Sequence, residues 1–134
     1  MGQVFADFDV ENLRDVYGES SARGIRSVGL KGMVLDSGAT HLCLPAEVIE
    51  ELGLPFAREV PVQTAVGVQT RRVFALARVR FEDRVTEGEC VELPRGTPPL
   101  LGALPMEGMG IEPDLQNRRV RKLPLGPDGT YITA

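Results

Sequence analysis

A chain of 134 residues, 43% hydrophobic and 25% charged with a formal net charge of −4, suits one domain around one modest core and is too short for two domains closing over a substrate. The arginines are scattered and only Lys31 and Lys122 are lysines, so the charge pattern excludes an electrostatic case for nucleic acid. No apolar run approaches the roughly 20 residues that cross a bilayer, and no membrane partner is expected.

The opening "MGQVFADFDVEN" lacks the basic-then-apolar order of a signal peptide, and Ala6 stands where a myristoylation signal takes Ser or Thr. A cytoplasmic protein is therefore expected, with Cys43 and Cys90 as reduced, buried thiols. Within that opening, Val4, Ala6, Phe8 and Val10 alternate with Phe5, Asp7 and Asp9, the period of a half-buried strand. After a turn around "YGESSARG", the segment Ile25 to Leu35 predicts a second strand. "PAEVIEELGLP" predicts a short helix, with Pro45 at its first position, Val48, Ile49 and Leu52 on one face, and Gly53 and Pro55 stopping it. "VPVQTAVGVQTRRVFALARVRFED" predicts a long hairpin around Gly67, with Phe74, Leu76, Val79 and Phe81 as core candidates. "GECVELP" is a further strand, "ALPMEGMG" has room for a turn or two of helix, and "IEPD" and "RRVRKLP" are short closing strands. Residues 1–123 form the expected domain. Residues 124–134 form a tail that serves as a dimer-interface strand or stays disordered.

The informative stretch is "GMVLDSGATHLCLP". An apolar run ends at Asp36, at a strand-to-loop junction, and a carboxylate there must be solvated, paired or used. On its own an Asp-Ser-Gly triplet is a common turn whose acid caps backbone amides, which is the reading of a monomeric β scaffold. His41, Cys43 and Cys90 raise a metal or thiol-nucleophile reading, but they lack the local spacing of a ligand set. A sugar-kinase-like phosphate loop would need two large lobes, and an aspartyl-phosphate phosphatase would need an acid where Gly38 stands.

Asp36-Ser37-Gly38-Ala39-Thr40, entered from Met33-Val34-Leu35 and followed by Leu44-Pro45 and a helix, resembles the active-site loop of retropepsin-like aspartic proteases. "PPLLG", Pro98 to Gly102, resembles the apolar-apolar-Gly strand beside that loop, and the Gly67 hairpin lies where the family carries its flap. The style is that of the small single-domain archaeal and bacterial members. The fold implied is a mainly β, single-domain, retropepsin-like closed barrel with one or two short helices.

The resemblance implies an aspartic endopeptidase needing no metal or organic cofactor. Two carboxylates about 3 Å apart share one proton; the ionised one activates a water and the protonated one serves the scissile carbonyl. With one Asp-Ser-Gly motif per chain, the second acid has to come from a second copy, so a C2 homodimer is expected. Asp36, Ser37 and Gly38 take the catalytic positions. Val34, Ala39, Thr40, His41, Val66, Gly67, Val68, Pro98 and Leu100 take substrate-binding ones around a peptide or protein substrate. Thr40 and Ala103 replace an Asp and an Arg that form an ion pair in retroviral members, so the pair is lost as a unit. Ala39 replaces the hydroxyl residue of two-domain pepsins, which predicts an optimum nearer neutral pH. A catalytically silent dimer that binds extended peptides in the same groove is the alternative from another functional class.

Overall fold

The computed structural model describes residues 3–18 and 24–126. The expected turn around residues 19–23 and the tail from residue 127 on lie outside them. Among the described residues the chain runs β1 (Val4–Asn12), α1 (Leu13–Tyr17), β2 (Ser27–Leu35), β3 (Leu42–Pro45), α2 (Ala46–Leu52), β4 (Phe56–Thr64), β5 (Gly67–Phe81), β6 (Arg84–Leu93), β7 (Leu100–Leu101), α3 (Ala103–Met109), β8 (Ile111–Asp114) and β9 (Arg119–Lys122). Seven strands form one sheet in the order β1-β2-β7-β3-β6-β5-β4, and a further pairing of β1 with β5 nearly closes six of them into a barrel, with β4 continuing outside it. Strands β8 and β9 make a separate two-stranded sheet. No helix among the described residues is long and apolar enough to cross a membrane.

The predicted alternation of β1 holds: Val4, Phe8 and Val10 are buried while Phe5 faces outward. Following the register around the barrel extends this into a continuous stripe. Val4 lies opposite Leu35, Leu35 beside Leu101, Leu101 opposite Leu42, Leu42 beside Cys90 and Cys90 opposite Phe74. Paired residues share a face of the sheet, and all six are buried. Leu44, Leu52, Met106 and Met109 complete the core from β3 and the two later helices.

Three details differ from the expectation. Pro45 ends β3 and caps α2, which begins at Ala46; its backbone at φ −66°, ψ 153° serves the strand as well as the cap. Gly53 stops α2 as predicted, in the left-handed conformation. In β5 the register shifts between Phe74 and Ala77, and Leu76 takes a left-handed φ of 63°. This bulge resets the period of two, so Ala77 replaces Leu76 in the core. The third difference is α1, a helix beyond the one or two expected. Asn12, fully buried at the end of β1, accepts from the amides of Arg14 and Asp15 and donates to the Leu52 carbonyl at 2.8 Å. One side chain thus caps α1 and ties it to the end of α2.

Asp15 in α1 accepts from the backbone amide of Arg26 at 3.0 Å and from its guanidinium at 2.8 and 3.0 Å. These bonds hold its carboxyl well below the ordinary 3.8, at about 2. A depressed carboxyl stabilises the fold above its ordinary value and loses that contribution as pH falls through the folded one. The thermal midpoint should therefore drop between about pH 4 and pH 2, and Asp15→Asn should flatten that limb; an identical limb in the variant would refute the assignment.

Candidate active site

At its end strand β2 runs parallel to β7, which pairs Val34 with Leu100 and Leu35 with Leu101. The ladder continues one residue further, since the Asp36 amide donates to the Leu101 carbonyl at 2.9 Å. By the period of two, Asp36 leaves on the face of Val34, opposite the buried Leu35. The other side of β7 pairs antiparallel with β3, Leu42 with Leu101 and Cys43 with Leu100. The strands entering and leaving the acid loop are thus separated by a strand of two residues.

The loop is closed by backbone bonds. The Ala39 amide donates to the Asp36 carbonyl at 3.1 Å, and Ala103 and Leu104 donate to the carbonyls of Ala39 and Thr40 at 2.8 and 2.9 Å. The start of α3 is therefore bonded directly to the loop, and this connection needs no ion pair between residues 40 and 103. Gly102 sits at the crossing. Its amide donates to the His41 carbonyl at 3.0 Å, and a Cβ there would lie 2.5 Å from that oxygen and 2.7 Å from the Thr40 carbonyl carbon.

Asp36 is exposed in the single chain, and its Oδ1 accepts from the Gly38 amide at 2.9 Å, which fixes the carboxylate plane. Ser37 and Gly38 are likewise exposed. Ser37 borders a cavity of about 200 Å³ that also touches Met106, Ile111 and Leu123. Val34 and Leu100, both half-buried, lie side by side next to the acid as expected. Register adds Cys43, which sequence reasoning left out of the wall: it is paired with Leu100 and half-buried, so Val34, Leu100 and Cys43 form one row on the face of Asp36.

Other expected residues fall further out. Pro98 is exposed, just ahead of Pro99, whose carbonyl accepts from Val34 at 3.3 Å. Ala39 and His41 are half-buried and Thr40 exposed, and His41 borders a second cavity between β5, β6 and α3. The β4–β5 hairpin turns at Ala65 and Val66, one step earlier than Gly67. Gly67, at φ 110°, opens β5, and its carbonyl accepts from the Thr64 hydroxyl at 2.7 Å. Val66 and Val68 are 81% and 67% exposed, so the hairpin tip offers apolar side chains to solvent.

The surroundings of the two thiols argue against the nucleophile reading. Burial, followed by the charge of Asp36, pushes the Cys43 thiol up to about 11, and burial pushes Cys90 up to about 12. Neither is a thiolate near neutral pH. No group of three or more His, Cys, Asp or Glu side chains able to hold a metal ion occurs among the described residues.

An acid at the end of a strand, flanked by a two-residue strand and a glycine crossing, gives a specific pattern to compare. A family described as aspartyl protease matches residues 28–105, from the start of β2 to the first turn of α3. The chain belongs to the aspartyl protease family. Its retropepsin-like character is that of the fold as well, a mainly β barrel with few short helices. Comparison with curated proteins finds no match. The matched span holds the acid loop, the hairpin and the β7–Gly102 crossing, and leaves out β1 and the β8–β9 sheet.

Because the atoms facing Gly102 are backbone, a side chain there has no flexible neighbour to displace. Gly102→Ala should cost about 1–3 kcal/mol or more, the usual scale of overpacking, and lower the urea midpoint accordingly. An unchanged midpoint would show that the crossing tolerates a side chain.

Proposed function

We propose that this aspartyl protease is an endopeptidase whose working unit is a C2 homodimer with one Asp36 from each chain. The observation that carries the proposal is the placement of Asp36: exposed, oriented by the Gly38 amide, and at the end of the apolar row of Val34, Leu100 and Cys43. An acid used only for its own loop needs no such row. An acid that meets its symmetry mate presents one wall from each chain to an extended peptide.

In the dimer the ionised carboxylate takes a proton from the bound water, whose oxygen attacks the scissile carbonyl carbon. The protonated carboxylate hydrogen-bonds to, then protonates, the carbonyl oxygen. Collapse of the tetrahedral intermediate returns that proton to the acid dyad while the amide nitrogen leaves as an amine, having received a proton from the other acid. Ser37 reaches across the axis to the partner's loop and keeps the acids coplanar. The hairpin tip of Val66, Gly67 and Val68 closes over the substrate, and its strand edges pair with the peptide backbone. Ala39, Thr40 and His41 border the peptide on one side, and Pro98 with Leu100 on the other. The chemistry uses no cofactor. Two free thiols suit a reducing compartment, and we place the protein in the cytoplasm.

The bond from Gly38 to Asp36 is also what a loop-capping acid makes, so the scaffold reading has to be tested against this one. Asp36→Asn keeps the size of the side chain and removes the acid. Cleavage of a peptide library should fall by about 10²–10⁴-fold while the mass in solution stays that of a dimer. Equal cleavage by wild type and variant, or a strictly monomeric active wild type, would overturn the mechanism. With no hydroxyl at position 39, cleavage should peak well above about pH 3; an optimum below that value would remove Ala39 from the account.

A further inference from the structure

The row beside the acid continues beyond Cys43. Cys43 lies beside Val91 and Val91 opposite Val73, so Val73 shares the face of Leu100 and Asp36. From Val73 toward the hairpin tip, β5 pairs with β4 without a shift of register, with Arg71 opposite Val60 and Gln69 opposite Val62. By the period of two, Arg71 and Gln69 lie on that same face. Exposure agrees: Val60, Val62, Gln69 and Arg71 are half-buried, while their neighbours on the opposite face of the hairpin are exposed. The underside of the hairpin therefore continues the acid's side of the sheet, and a guanidinium stands among its apolar side chains.

A charge taken partly out of water is costly unless it is paired. Two other arginines of this hairpin meet that condition. Arg72, on the opposite face, donates to the two carboxylate oxygens of Glu92 at 2.9 and 2.6 Å, and Arg58, opposite Val73, donates to Glu89 at 2.8 Å. Arg71 does not: among the described residues its side chain has neither a hydrogen bond nor an ion pair. Its aliphatic stem can cover Val60, but that role needs no charge. The rigid fork of an arginine matches a carboxylate, and here the carboxylate has to come from outside the chain. Asp36, on the same face, repels a further negative charge close to itself, whereas Arg71 sits on a strand four steps from β2 in the sheet order. The acid that Arg71 attracts is therefore away from the bond that is cut.

We propose that Arg71 is a specificity-determining residue, which receives an Asp or Glu side chain of the polypeptide substrate beneath the hairpin, so that the groove favours acidic segments. Its use in proteolysis rests on the proposed function, whereas the binding itself does not. The Asp36→Asn chain keeps a bound peptide intact. Acetylated, amidated octapeptides of Ala, Thr and Val with one central Glu, Gln or Lys are the probes, titrated separately and followed by NMR at the amides of Val60, Gln69 and Arg71. The Glu peptide should bind at least about tenfold more tightly than the Gln peptide, the Lys peptide most weakly, and added salt should narrow the gap. In the same background Arg71→Met should erase the difference, Arg71→Glu should reverse the order in favour of Lys, and Arg72→Met should leave it unchanged. The reversal separates recognition from packing, because a stem that only covers Val60 gives no switch of order. No saturable binding, equal affinity for the Glu and Gln peptides, or a preference kept by a folded Arg71→Met variant would each overturn the proposal. A wild-type protein that prefers the Glu peptide through Arg71 and cleaves no peptide would defeat the proteolytic reading and leave the recognition standing.

Discussion

Leu100 and Leu101, threaded between the strand that enters the acid loop and the strand that leaves it, are the constraint on which the site depends. Each of their edges is used, parallel to β2 on one side and antiparallel to β3 on the other. With β7 between them, the loop from Asp36 to His41 cannot collapse into an ordinary hairpin. It has to bridge a strand's width, and it spends its own carbonyls on α3. The same insertion sets the two faces of the barrel wall, with Leu101 carrying the buried stripe and Leu100 the row beside the acid. Gly102 follows as a steric consequence, because the chain leaves β7 in contact with the backbone of Thr40 and His41.

The electrostatics of the acid loop are those of a surface carboxylate. Burying an isolated carboxylate is costly, and the fold leaves Asp36 at the surface with one amide donor. Cys43, the polarizable side chain in its row, stays neutral under the combined weight of burial and that nearby charge. A thiol held neutral in this way adds no second negative group beside the acid.

What could be read in the sequence was what is local. The period of two in β1, the Gly-Pro stop after α2 and the apolar lead into an acid are each written within a few residues, so the strand, the helix and the candidate acid were legible. The place of Cys43 was not, because it depends on pairing with Leu100, far along the chain. Leu76 misled for a related reason: a bulge leaves the composition of a strand unchanged and reverses which residues face inward beyond it. Asn12 drew no reading from the sequence, and only its bonds to the start of α1 and to the Leu52 carbonyl make it a buried cap.

The threading of β7 also sets an order of events. Residues 100–102 come late in the chain, after the acid loop, both long hairpin arms and β6, and non-local pairings of this kind form slowly. A nascent chain in which Asp36 has left the ribosome still lacks the carbonyl of Leu101 that anchors its amide and the glycine on which the loop rests. During synthesis, then, the acid is present long before its architecture. Until β7 pairs, the loop has neither its anchor on β2 nor the amides of Ala103 and Leu104 that hold its carbonyls.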